Sequence, residues 1–325
     1  MSHTTGAGQL EALPLEGWEA TKDTLHLWVQ IVGKVRMASV PRRNHWWHVP
    51  LYVDVRGLTT RPMHAPDGTT FQIDLDFVDH ALVVSTSRGA VESFPLADGL
   101  SVADFDQELH ATLRRLEIDV PIREQQYGVA VATPFPADRD HATYDRQAVE
   151  RFWRILGWTD GVLEEFAGWY CGKSSPVHLF WHSFDLALTR FGGGRARDRP
   201  DADPVTREAY SHEVVSFGFW AGDAKVREPS YYAYAAPEPA DLRLQPLRPE
   251  QAHWASQGQG SIALLPYESV RTTTSDPRAT LLAFFESAYR AGARGPGWDR
   301  DDLSSSWCPA PLELSGLLDP SASHR

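Results

Sequence analysis

Residues 70–77, Thr70-Phe71-Gln72-Ile73-Asp74-Leu75-Asp76-Phe77, alternate polar and apolar side chains without exception. A period of two is what a β-strand with one dry and one wet face requires, and no helix can bury such a pattern on one side. The turn Ala65-Pro66-Asp67-Gly68 leads into this segment. Asp79-His80 leaves it for a second run, Ala81-Leu82-Val83-Val84-Ser85-Thr86, which reads as a further strand. Upstream, Trp46 to Leu58 is rich in Val, Tyr and Trp and is predicted to be the first strand of the group.

Helical periodicity brackets these strands. Residues 17–38 place Leu25, Trp28, Val29, Val32 and Val35 on one face, and Pro41 closes the segment. Ser101 with Asp104 begins a helix to about Leu116 that is apolar at Phe105, Leu109, Leu113 and Leu116. The second half repeats the order. A helical segment from Thr143 to Trp169 is expected to break near Gly157–Gly161. Strands follow over His178–Thr189, Glu213–Trp220 and Tyr231–Ala235, and Asp276-Pro277 starts a last helix through Leu281, Leu282, Phe285 and Tyr289. Laid over each other, His48 falls on His178, and Leu58-Thr59 on Leu188-Thr189. The expected fold is α+β, with two duplicated units of helix, three strands and helix packed about a pseudo-twofold axis. The units span residues 13–120 and 121–300, and residues 301–325 form an irregular tail. The Gly- and Arg-rich stretch 191–200 reads as an exposed loop.

Composition narrows the function classes. No apolar run approaches the ~20 residues needed to span a bilayer, and no secretory leader opens the chain. Two cysteines, Cys171 and Cys308, make no disulfide framework, so a cytoplasmic protein with free thiols is expected. A net charge of −12 argues against a nucleic-acid surface. Dinucleotide, Walker, nucleophile-elbow and His-Glu-x-x-His patterns are absent, which argues against nucleotide-dependent transfer and the standard serine hydrolases. A small-molecule ligand is the remaining expectation.

Four constellations could carry chemistry. His178 and His182 share a face as strand or as helix, but on a strand they stand too far apart to share one ion. His212 and Glu213 open a strand that could approach His178 across a ladder. Two histidines and a carboxylate are what one divalent ion, such as zinc or iron, asks for, and equally what a metal-free general base needs. Asn44-His45-Trp46-Trp47-His48 supplies His48 as the counterpart of His178, with two tryptophans split between core and seam. Tyr232 and Tyr234 share a face, and Glu238 follows between two prolines. Asp185 in an apolar run needs a partner, from Arg190, Arg56 or Arg61.

The runs His45-Trp46-Trp47-His48-Val49 with Arg56-Gly57-Leu58-Thr59-Thr60, Ser175-Pro176-Val177-His178, Ser183 to Phe191, Ser211-His212-Glu213-Val214 and Tyr232-Ala233-Tyr234 resemble a bacterial family, domain of unknown function 5996. The resemblance covers Leu13 to Trp298. It implies a stand-alone bacterial protein, brings no established reaction, and implies that relatives often carry another residue in place of His182.

The expected function is an enzyme acting on a small molecule at a His/carboxylate site, with one divalent metal. Glu213, Glu238, Asp185 and Tyr234 would carry the chemistry. His48, Trp181, Tyr232 and Arg190 would hold the ligand, and His178, His212 and His182 the metal. The alternative is a non-catalytic binding protein using the same aromatic-lined pocket.

Overall fold

Two antiparallel sheets of six strands each are built in chain order, one per half. The structure, a computed structural model, describes residues 10–197, 200–258, 260–295 and 298; the expected tail at 301–325 lies outside them. The first sheet contains β1 (Tyr52–Asp54), β2 (Gly57–Thr59), β3 (Met63–His64), β4 (Thr70–Asp76), β5 (Ala81–Thr86) and β6 (Val91–Pro95). Its order is β1-β2-β4-β5-β6, with β3 beside β4. The alternating segment is β4, and its apolar set Phe71, Ile73 and Leu75 is buried while Gln72 and Asp74 are half-buried on the other face.

The second sheet contains β7 (His178–Phe180), β8 (Asp185–Arg195), β9 (His212–Trp220), β10 (Ser230–Ala236), β11 (His253–Gln257) and β12 (Gly260–Pro266), in the order β11-β12-β10-β9-β8-β7. The halves meet edge to edge. Leu51 N–H donates to the Leu179 carbonyl at 2.9 Å and Leu179 N–H to the Leu51 carbonyl at 2.8 Å.

Helices cover these sheets. They are α1 (Glu19–Ser39), α2 (Val102–Arg115), α3 (Arg146–Gly168), α4 (Pro204–Ala209), α5 (Tyr267–Arg271) and α6 (Pro277–Gly292). In α1, Leu25, Trp28, Val29, Ile31, Val32 and Val35 are all fully buried, so this helix is apolar around most of its circumference, as a central helix must be. Val40 takes an extended backbone before Pro41, which ends it. The hydroxyl of Ser101 accepts from Asp104 N–H and caps α2, and Asp276 with Pro277 caps α6, as the residue patterns predict. Among the described residues no helix is long and apolar enough to cross a membrane.

Several elements differ from expectation. Helix α3 does not break at Gly157–Gly161, because the buried stripe Phe152, Ile155, Leu156, Thr159, Val162, Leu163 and Phe166 runs straight through and outweighs ~1 kcal/mol per glycine. Each half has six strands, not three; β6 and β11 are five-residue edge strands with weak patterns, and β12 is an inner strand, buried over Ser261–Leu265, with no polar alternation to mark it. Trp46–Leu58 is not one strand. A 3-10 turn at Asn44–Trp46 with left-handed His45 and Trp46 precedes the hairpin β1–β2. His178–Thr189 is likewise a hairpin, folded at Trp181–Phe184, so His178 and His182 do not share a strand. The glycine-rich stretch 191–195 continues β8, pairing Arg195 with His212 after a bulge. His48 lies in a turn three residues before Leu51, whereas His178 is one residue before Leu179. The two histidines are therefore not at equivalent positions about the junction.

Trp181, expected at the ligand, is buried against α1. A Cβ on Gly33 would stand 2.2 Å from its ring. Alanine is normally the better helix former, yet Gly33→Ala is expected to destabilise the protein by ~1–3 kcal/mol through overpacking. Chemical denaturation reads this directly, and an unchanged midpoint would mean that Trp181 is not seated there.

Candidate functional site

The strand period splits β8 into two faces. Leu186, Leu188 and Arg190 point to the helices, and Asp185, Ala187, Thr189 and Phe191 point away from them. Neighbouring strands follow the same division. Phe217 packs with Phe166 of α3 at 5.0 Å and Phe285 of α6 at 5.8 Å between ring centroids. Ser216, Gly218 and Trp220 of β9 and Tyr232 and Tyr234 of β10 face the other way. On that side the sheet floors an open groove of about 1100 Å³, walled by Trp46, Trp47, Tyr210 and Phe180.

At one end of the groove Asp185 accepts hydrogen bonds from the Tyr232 and Ser183 hydroxyls. Gly218 makes the Tyr232 contact feasible. Its Cβ, if present, would lie 2.5 Å from the Tyr232 hydroxyl oxygen, so the phenol crosses β9 only because glycine stands beneath it. His182 lies beside this carboxylate. Burial lowers its pKa, and the charge of Asp185 only partly restores it. Burial also raises the phenols of Tyr232 and Tyr234 well above their ordinary value, which keeps both neutral donors. Midway, the Tyr232 and Tyr234 rings stack at 6.1 Å, the Tyr210 and Tyr234 hydroxyls lie 3.1 Å apart, and those of Thr189 and Ser216 2.7 Å. Glu238 lines the rim beyond β10 and accepts from both the N–H and the hydroxyl of Ser261 at 2.7 Å.

The structure thus brings together Asp185, His182, Tyr232, Tyr234 and Glu238. The other expected residues lie elsewhere. Asp185 is half-exposed in the groove with hydroxyl partners, so it needs no arginine; Arg56 pairs with Asp76 and Asp79 instead. Arg190 points to the opposite face, stacked on Phe166 at 3.6 Å. Glu213 also faces away from the groove, near Gly295, as strand alternation from His212 requires. His48 is buried in its turn, its Nδ1 accepting from Arg43 N–H at 3.3 Å. His178 is fully buried between Tyr52 and Phe180, and neither ring nitrogen has a hydrogen-bond partner. His212 stands at the far end of the groove floor, its ring 5.5 Å from that of His45.

The three histidines expected to hold a metal therefore occupy three separate places. Among the described residues no group of three or more His, Cys, Asp or Glu side chains is arranged to hold an ion. The charges nearest His178 are the cations Arg36 and Arg61, which oppose a metal there. These donors do not fit a metal centre. Sequence patterns also missed Trp220 and Lys173, whose positions depend on a strand end and a turn with no motif of their own.

Neither the curated proteins nor the solved structures contain a match to this chain. The model of a family of unknown function, DUF5996, matches residues 10–305. With nearly all of the described fold inside that match, the chain belongs to the family of unknown function DUF5996.

Proposed function

We propose that the groove binds a small organic ligand and that its Asp185 end moves protons on it. The observation that carries this reading is the Tyr232 phenol laid across Gly218 onto Asp185, in an open aromatic groove with His182 alongside. A concave, aromatic-walled site with a few convergent polar groups is the usual form of a small-molecule site. His182, held neutral near pH 7, is fit to accept a proton, and the neutral phenol of Tyr234, whose partner Tyr210 can equally be the donor of their pair, is fit to donate a hydrogen bond to a developing negative charge. No metal is required for that chemistry. A non-catalytic binding role is the second reading, favoured by the internal partners that Asp185, Tyr234 and Glu238 already have.

A metabolite library screened by thermal shift tests the site. Compounds that stabilise the wild type should lose tenfold or more in affinity with Tyr232→Phe or Asp185→Asn, since a hydrogen bond to a charged group contributes ~1.5–3 kcal/mol. Stabilisation that persists undiminished in both variants would place the site elsewhere. Mass spectrometry of each bound compound over time then separates turnover from simple binding.

We also infer that the halves descend from a duplicated unit related by a pseudo-twofold axis. What supports this is the shared order of long helix, edge hairpin, antiparallel sheet and closing helix, with the two hairpins facing each other at Leu51 and Leu179. The expected matching of His48 with His178 does not contribute to it.

A further inference from the structure

The end of the groove remote from Asp185 carries an amine–imidazole pair. Lys173 Nζ donates to His45 Nε2 at 2.8 Å, 4.6 Å from the centroid of Phe191 and 5.2 Å from that of Trp47. His45, Trp47 and Phe191 all line the groove. His45 is 5% exposed and sits in a turn where two successive non-glycine residues, His45 (φ 55°) and Trp46 (φ 62°), are left-handed. Such backbone is costly and persists where surrounding structure fixes it, commonly at functional sites. Among the described residues no carboxylate pairs with Lys173; its charge bears on His45 and His212, and the Glu208 carboxylate, which also bears on His45, is paired with Arg42. Burial lowers the amine's pKa, and Lys173 in turn lowers those of both histidines. With no carboxylate paired to it among the described residues and two imidazoles close by, the amine loses its proton more readily than a free lysine, even though the faces of Phe191 and Trp47 favour its charge, and a lysine so placed beside a base is fit to act as a nucleophile.

We propose that Lys173 forms an imine with an aldehyde or ketone seated between Trp47 and Phe191, with His45 as its proton acceptor. The ammonium of Lys173 gives one proton to His45. Its nitrogen lone pair then attacks the carbonyl carbon, forming the C–N bond while the C=O π pair moves to oxygen. That oxygen takes back the proton from His45 and, with the second proton of the nitrogen, leaves as water. One lysine ammonium and one carbonyl give one protonated imine, which keeps the third proton of the nitrogen, and one water, and no redox partner is needed. This reading rests on the groove only for where the body of the ligand lies; a failure at Lys173 leaves the Asp185 end, tested through Tyr232, untouched.

The chain has only four lysines, at 22, 34, 173 and 225, so trapping is easy to map. Lys22 is paired with Asp23 at 2.7 Å and Lys34 is buried, whereas Lys225 is exposed, as Lys173 is, but stands apart from His45, which makes it the internal reference. The full chain is incubated at pH 7 with benzaldehyde and sodium cyanoborohydride, and benzylated lysines are located by peptide mass spectrometry. Lys173 should be modified ahead of Lys225, Lys173→Arg should lose only that label, and His45→Gln should slow it by about tenfold or more with Lys225 unchanged. Equal labelling of Lys173 and Lys225 in the wild-type protein overturns the proposal without recourse to any variant. So does a Lys173 rate that does not respond to His45→Gln.

Discussion

Lowering the pH from 7 to 5 is expected to cost the protein about 2 kcal/mol for each of His26 and His178. Both imidazoles are buried, and burial pushes both down to about 3; Lys22 adds to this at His26, and Arg36 and Arg61 at His178. In the unfolded chain they titrate near the ordinary histidine value of about 6.5. Below that value the unfolded state binds protons that the folded state refuses, so stability present above pH 6.5 is lost as the pH falls toward 3. Carboxylates add their own acid sensitivity, so the test must isolate one ring. His178→Leu removes an imidazole whose two nitrogens have no partner and which already lies among aromatic rings. Urea midpoints at pH 7 should stay level or rise, because an unsatisfied buried polar group costs ~1–3 kcal/mol. The loss between pH 7 and 5 should shrink by about 2 kcal/mol. An identical pH slope in the variant would mean that His178 is not buried neutral. A strong destabilisation at pH 7 would mean that its nitrogens hold a ligand that the donor geometry does not favour.

His178 also shows what single-chain patterns could and could not supply. Its strand and its apolar neighbours follow from Val177-His178-Leu179-Phe180, but its isolation from His182 depends on a four-residue hairpin turn, Trp181–Phe184, whose polar residues His182 and Ser183 fit a continuous strand equally well. Period-two alternation marks β4 and β5 because one face is wet; β8 is dry on both faces over Leu186–Leu188, and the turn before it carries only His182 and Ser183, with no glycine or proline to mark it. The same alternation separates His212 from Glu213 and groups Tyr232 with Tyr234. Asp185 was marked by its cost in an apolar run, and the remedy proved to be a phenol two strands away, reachable only over Gly218. Long-range pairings of that kind have no local signature. Lys173 had none at all: its chemistry comes from the turn that delivers His45 to it across 128 residues.

Arg190→Ala is expected to destabilise the protein by about 3–5 kcal/mol and to leave ligand binding in the groove unchanged. Arg190 is 1% exposed and has no carboxylate within ion-pair distance among the described residues. Its guanidinium stacks on Phe166 at 3.6 Å, lies 4.7 Å from the ring of Tyr289, and donates to the Phe166 carbonyl in the last turn of α3. Burial lowers it to about 10, against the opposing pull of Tyr289, Glu286 and Tyr170, so it stays charged near neutrality. The last carbonyls of a helix carry partial negative charge, and aromatic faces attract cations, so this residue joins α3 to β8 and α6 without an acid. Alanine deletes the stack and leaves both a void and an unpaired carbonyl. Methionine fills much of the void and should recover about half of the loss, whereas lysine, with no planar face, should recover less. Urea denaturation of the three variants, beside their affinity for any groove ligand, discriminates the roles. A stable Arg190→Ala protein that no longer binds would return this residue to the ligand site that the sequence alone had assigned it.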